Sequence, residues 1–194
     1  MKDRLKKLFT NVWNVPNTLT ILRLLLVPVF VILFRSGRPK WALAVFCAAS
    51  LTDLLDGWLA RKLNQITDFG KLFDPLADKL MVLTALVCQA VTDVPWSAGL
   101  PWAAVLIVLA KEILMVAGGA FMLGKGVVVY ANYFGKTATV FFMASLILSF
   151  FHKELEAAAG VRPDIILLWV STGLALLAMA VYAAQAARSL RKKE

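Results

Sequence analysis

The chain has 194 residues and a formal net charge of +9 at pH 7. Hydrophobic residues make up 60% of it, charged residues only 17%, and the mean hydropathy is +0.76. These values exclude an ordinary water-soluble globular protein and indicate an integral membrane protein. The length fits a single domain over residues 1–194.

The amino-terminal segment, residues 1–15, mixes basic residues with apolar ones that recur every three or four positions. This spacing predicts an amphipathic helix that lies on the membrane surface, with one basic and one apolar face. A basic tail without regular structure is the alternative interpretation.

Six apolar stretches follow, separated by glycine, proline or charge: residues 19–34, 41–58, 76–90, 100–123, 137–151 and 165–184. Several are shorter than the roughly 20 residues that a spanning helix needs. Helices with polar functional residues at their ends, facing a cavity inside a bundle, fit this shortfall. We therefore expect an all-α integral membrane protein with six transmembrane helices and an amino-terminal surface helix.

The basic residues outside these stretches are distributed unequally between the two sides of the membrane. If Lys79, near the start of its stretch, is included, fourteen Lys and Arg fall on the side of the two termini, and five fall on the other. The positive-inside rule then predicts a cell-membrane protein whose termini and second connection face the cytoplasm. The same bias accounts for most of the net charge, so a nucleic-acid partner is not expected.

Four aspartates lie where the second apolar stretch ends and the third begins. Asp53 and Asp56 are three residues apart, and Asp74 and Asp78 are four apart, so each pair shares one face of a helix. Four carboxylates repel one another at low dielectric, whereas divalent cations hold them together. All-oxygen ligands favour Mg²⁺ or Mn²⁺, and the set is large enough for two ions. Pro75 is expected in the first turn of the third helix.

Small residues and one arginine accompany the aspartates. Gly57, Ala60 and Gly70 leave room for a ligand near the backbone, and Arg61 offers a planar set of donors to phosphate. Metal ligands, an arginine and a small-residue wall together predict a site for a diphosphate attached to a bulky group.

The motif D-x-x-D-G-x-x-A-R, eight residues, and then G-x-x-x-D-x-x-x-D runs from Asp53 to Asp78. It resembles the signature of the CDP-alcohol phosphotransferase family at every defined position. The stretch Pro16-Asn17-x-Leu19-Thr20-x-x-Arg23 adds to the resemblance. The resemblance implies transfer of a substituted phosphate from a CDP-linked donor to an alcohol with release of CMP. It also implies two divalent metals per active site and a homodimer.

The resemblance further implies roles for individual residues. Asp78 is both a metal ligand and the general base, and the other metal ligands are Asp53, Asp56 and Asp74. The residues expected to line the CDP site are Asn17, Thr20, Gly57, Ala60, Arg61, Thr67 and Gly70.

Within the family, the chain most resembles members that join CDP-diacylglycerol to sn-glycerol 3-phosphate. A phosphorylated acceptor needs cations, and Lys111, Lys125 and Lys136 are candidates. Alternatively, Lys111 pairs with its neighbour Glu112, and the other two lysines are loop or span-edge charges. Phosphatidylglycerol, serine and inositol phosphate are alternative acceptors.

A cation transporter is the alternative from another functional class, since carboxylates within membranes also mark ion pathways. Such a pathway predicts acidic residues along several helices through the membrane. Here the acidic residues cluster at the ends of two stretches, beside Arg61. The clustering favours the enzyme.

Overall fold

The computed structural model describes residues 14–62, 68–124 and 133–191. All regular secondary structure in these ranges is helical, as expected for the all-α class. The helices are α1 (Val15–Arg35), α2 (Pro39–Lys62), α3 (Asp68–Ala90), α4 (Trp102–Gly124), α5 (Tyr133–Ser149), α6 (His152–Ala159) and α7 (Pro163–Arg191). The surface helix expected over residues 1–15 falls almost wholly outside the described residues.

Three helical segments of the described chain are long and apolar enough to cross a membrane: Asn17–Arg35, Trp102–Gly119 and Pro163–Ser189. Helices α5 and α6, bent by 88° at the break between them, count as a fourth if they form one span. Among the side chains that the structure describes, Lys79–Ala90 of α3 forms a shorter apolar helix. Length and composition therefore support three or four of the six expected spans.

The chain forms two compact units, and the first comprises Met1–Cys88 and Val94–Trp96. A tight turn at Ser36–Arg38 joins α1 to α2. Gly37 in this turn has a φ of +75°, and a Cβ there would lie 3.2 Å from the Trp96 ring. The Trp96 indole N–H also donates a hydrogen bond to the carbonyl oxygen of Phe34. The positive φ and the nearby Trp96 ring, held in place by this hydrogen bond, both favour glycine at position 37.

Helices α1 and α2 pack against each other as an antiparallel hairpin, which the three-residue connection requires. Phe30 and Phe34 on α1 are buried, and so are Ala42, Phe46 and Ala49 on α2. The Phe30 and Phe46 ring centroids lie 6.4 Å apart, so these residues face each other across the hairpin. This contact fixes the register between the two helices.

The second unit comprises Gln89–Asp93 and Ser97–Glu194, and α7 is the helix that packs against α4, α5 and α6 within it. Small residues permit these close contacts. The interface between α5 and α7 buries Ala138, Ser145 and Ser171, and Gly119 on α4 lies beside the Tyr182 hydroxyl of α7. Small residues at helix interfaces are typical of membrane proteins.

A buried ion pair fixes the start of α7. The Arg162 guanidinium donates to both carboxylate oxygens of Asp164, at 3.0 and 2.7 Å, and to the carbonyl oxygen of Ala98 at 2.8 Å. The hydrogen bond to Asp164 raises the pKa of Arg162 above its ordinary value. Asp164 is fully buried, and the Ser145 hydroxyl donates to its backbone carbonyl at 2.7 Å. The cluster thus connects α7 to α5 and to the segment before α4.

Replacing Asp164 with alanine is expected to lower the stability of the protein by about 3 kcal/mol, roughly 10 °C in Tm, because the Arg162 charge loses its buried partner. Thermal unfolding of the purified protein in detergent measures this change. Glu154→Ala, which removes an exposed carboxylate from α6, is the control and is expected to change Tm far less. Equal shifts for the two variants would show that the ion pair contributes no stability of its own.

Candidate active site

Helix α2 carries the first two aspartates of the motif, and the structure describes their backbone positions. Counting along the helix, positions 53, 56 and 60 lie on the same face as Ala42, Phe46 and Ala49, the residues buried in the hairpin. The motif therefore continues the stripe of α2 that packs against α1.

Helix α3 carries the other two aspartates, again as backbone positions. Positions 74 and 78 share a stripe with Met81 and Ala85, which are buried. The helix begins at Asp68, so Pro75 lies seven residues inside it. The expectation that Pro75 occupies the first turn of α3 is wrong. The helix begins before the apolar stretch and includes the charged residues that precede Pro75.

The two pairs of aspartates are placed alike relative to the connection between α2 and α3. Asp56 lies six residues before the last residue of α2, and Asp74 lies six residues after the first residue of α3. Both pairs thus belong to the two helix ends that precede and follow this connection in the sequence. Carboxylates three or four residues apart on two such helices are suitable ligands for Mg²⁺ or Mn²⁺, so the donor set fits the ions that the sequence predicts.

Helix α1 contributes three polar side chains that are almost completely buried: Asn17 and Arg23 are 1% exposed and Thr20 is 0% exposed. The helix starts at a cap in which the Asn14 side chain accepts a hydrogen bond from the backbone N–H of Asn17, at 2.9 Å. Asn17 and Thr20, both expected at the CDP site, therefore share the first turns of α1.

The Phe30–Phe46 contact relates these residues to the motif. Thr20 lies ten residues before Phe30, and Asp56 lies ten residues after Phe46. In an antiparallel hairpin with this register, the two positions are level with each other. The structure thus brings Thr20, a residue outside the aspartate motif, to the same level of the hairpin as the motif.

Most of the other residues expected at the CDP site lie at the end of α2 or the start of α3. Positions 57, 60 and 61 lie in the last turns of α2, and position 70 lies in the first turn of α3. Thr67 lies outside the described residues. Four of these five positions therefore belong to the same two helix ends as the aspartates.

The lysines expected at the acceptor site belong to the second unit. The Lys111 ammonium forms an ion pair with the Glu112 carboxylate, and both side chains are largely buried. The ion pair agrees with the alternative interpretation of Lys111, as the partner of Glu112, and the acceptor role stays a prediction. Lys136 is exposed in the first turn of α5, and Lys125 lies outside the described residues.

Sequence reasoning assigned no role to Arg23, which it used only as part of a resemblance. The structure shows that Arg23 is almost completely buried, which points to a specific role for its charge. An arginine within an apolar stretch already indicates such a role in the sequence.

The pair Arg162–Asp164 was also missed. An acidic residue in the first turn of an apolar helix could have identified Asp164, but the contact with Ala98 joins residues 64 apart and leaves no local signal.

Comparison with known proteins places the chain in a family. The family model for CDP-alcohol phosphatidyltransferase matches residues 13–184. The chain is 38% identical over 139 residues to the protein named "CDP-diacylglycerol--glycerol-3-phosphate 3-phosphatidyltransferase" in Escherichia coli (strain K12), a match that covers 69% of this chain and 75% of the relative. Proteins of the same name in Shigella flexneri serotype 5b (strain 8401) and Shigella sonnei (strain Ss046) match to the same extent. The chain belongs to the CDP-alcohol phosphatidyltransferase family.

Proposed function

We propose that this transferase moves the phosphatidyl group of CDP-diacylglycerol to sn-glycerol 3-phosphate and releases CMP, as a phosphatidylglycerophosphate synthase. The observation that supports this most strongly is the complete aspartate motif, carried by the last turns of α2 and the first turns of α3. The name of the relatives, which specifies glycerol 3-phosphate, supplies the acceptor.

The four aspartates are the proposed ligands of two Mg²⁺ or Mn²⁺ ions: Asp53, Asp56, Asp74 and Asp78. When bound, such ions stabilise negative charge on the phosphates and on the departing CMP. Arg61 donates hydrogen bonds to the donor's diphosphate, and Gly57, Ala60 and Gly70 leave space for it. Asn17, Thr20 and Thr67 contact the nucleotide.

Asp78 acts as the general base. It accepts the proton of the acceptor's hydroxyl group, and the resulting oxygen attacks the phosphorus that carries the diacylglycerol. The new phosphorus–oxygen bond forms as the bond to the CMP phosphate breaks, so CMP leaves with the electron pair. Holding the hydroxyl in line with the leaving group supplies much of the rate enhancement.

The proposed setting is one catalytic domain over residues 1–194 with six transmembrane helices and a surface helix over residues 1–15. Both termini and the active site face the cytoplasm of the cell membrane, and the protein forms a homodimer. The donor enters sideways from the bilayer, since its acyl chains gain nothing by leaving the lipid.

Cations recognise the phosphate of the acceptor. Lys136 and Lys125 are the first candidates, because Lys111 already pairs with Glu112 and must exchange that partner to bind a substrate. Lysine neutralises a phosphate without the two-point geometry of arginine. A lipid acceptor such as phosphatidylglycerol, as in cardiolipin synthesis, presents a phosphodiester in place of the phosphate monoester and is the second candidate.

The test is CMP release by the purified protein from CDP-diacylglycerol with Mg²⁺ or Mn²⁺, with each acceptor offered separately. We expect turnover with glycerol 3-phosphate and none with phosphatidylglycerol, serine or inositol phosphate. Turnover with phosphatidylglycerol alone would reassign the protein to cardiolipin synthesis. No turnover with any acceptor would contradict CDP-diacylglycerol as the donor and favour a different CDP-linked donor or the cation transporter.

Arg61→Lys keeps the positive charge but loses the planar donor geometry, so we expect the KM for CDP-diacylglycerol to rise about tenfold. Steady-state kinetics at saturating acceptor measure this change. Lys62→Arg, at the next position of α2, is the matched control and is expected to leave KM unchanged. An unchanged KM in Arg61→Lys would reduce Arg61 to a positive-inside anchor.

A further inference from the structure

Arg23 is a buried cation within a membrane-spanning helix. It is 1% exposed, and it lies within the apolar candidate span Asn17–Arg35. A guanidinium at such a position requires a negative partner, because burying an unpaired charge costs several kcal/mol. Helix α1 itself contains no acidic residue, so the partner belongs to another element.

The acidic residues available on the neighbouring helix are few. Helix α2 packs against α1, and its sequence contains two carboxylates, Asp53 and Asp56. Arg23 lies seven residues before Phe30, and Asp53 lies seven residues after Phe46. Since Phe30 and Phe46 face each other, two helical turns in each direction bring Arg23 level with Asp53. Asp56 is one turn further on, level with Thr20.

We propose that Arg23 is a positioning residue of the active site, whose charge balances and orients the carboxylate of Asp53. Arg23 reduces the repulsion within the aspartate motif before any metal ion enters. It also restrains one ligand in the geometry that the ions require.

The inference rests on the proposed role of the aspartates, but its direct test involves neither turnover nor metal. The test is a double-mutant cycle on the thermal stability of the full chain in detergent with EDTA. Arg23→Gln is made in three backgrounds: the original sequence, Asp53→Asn and Asp56→Asn. The last is the matched control, since it makes the same change one turn away on the same helix.

In the original sequence, we expect Arg23→Gln to lower Tm by roughly 10 °C, because Asp53 loses its partner. In the Asp53→Asn background the same change should lower Tm by less than half as much, and in the Asp56→Asn background by the full amount. Equal losses in all three backgrounds would overturn the proposal. If the Tm loss caused by Arg23→Gln were reduced equally in the Asp53→Asn and Asp56→Asn backgrounds, the assignment to Asp53 would be overturned.

Arg23→Lys extends the test if Arg23→Gln yields no folded protein. Arg23→Lys keeps the positive charge, so we expect it to lower Tm by less than Arg23→Gln does. This Tm loss should again be smaller in the Asp53→Asn background and unchanged in the Asp56→Asn background. In turnover assays with metal, Arg23→Lys should lower kcat by about tenfold and leave the donor KM within about twofold, as outer-sphere substitutions do. A raised KM with unchanged kcat would instead make Arg23 a donor ligand.

Discussion

Replacement of Asp78 by asparagine is expected to lower CMP release about a thousandfold while the protein remains folded in detergent. An amide has nearly the size of a carboxylate but cannot accept the proton of the acceptor hydroxyl, and general base catalysis alone contributes about 10²–10⁴ in rate. The change also removes one charged oxygen from the proposed metal site. Both losses act on the chemical step.

The measurement is CMP release with saturating CDP-diacylglycerol, Mg²⁺ and glycerol 3-phosphate. Asp93→Asn makes the same chemical change at an exposed position between α3 and α4, and it should retain normal turnover. A rate in Asp78→Asn within tenfold of the original protein would assign the base elsewhere.

Removal of divalent cations is expected to abolish turnover, and addition of Mg²⁺ or Mn²⁺ is expected to restore it. Four carboxylates gathered in the proposed site repel one another without counterions, and the donor's diphosphate adds further negative charge. Turnover is measured after treatment with EDTA and dialysis, and again as each ion is added back.

Spermidine is the control for charge alone, because it is a cation that carboxylates cannot coordinate. If spermidine restored turnover as well as Mg²⁺ does, the aspartates would need only a positive field and not coordinated ions. Full turnover after EDTA treatment would contradict a metal-dependent mechanism.

The helical placement of the motif could be predicted from sequence because it depends on local spacing. Aspartates three and four residues apart on apolar segments predict shared helix faces, and α2 and α3 carry them as helices. The ends of helices were harder to locate. The charged residues before Pro75 obscured the start of α3 at Asp68, since the apolar pattern begins only further along the chain.

Features that depend on contacts between distant residues could not be predicted in the same way. Arg162 was counted as a loop charge, yet it contacts Asp164 and the carbonyl of Ala98. The burial of Arg23 depends on the register of α1 and α2, which the Phe30–Phe46 contact sets. Periodicity identifies the face of a helix but does not identify its partner.

The central claim is transfer of a phosphatidyl group to glycerol 3-phosphate, and incorporation of label tests it most directly. The protein is reconstituted in vesicles that contain CDP-diacylglycerol and is supplied with Mg²⁺ and radiolabelled glycerol 3-phosphate. We predict that label enters the lipid fraction with one CMP released for each labelled lipid, and that Asp78→Asn abolishes both. Release of CMP without labelled lipid would indicate hydrolysis and would contradict the proposed transfer.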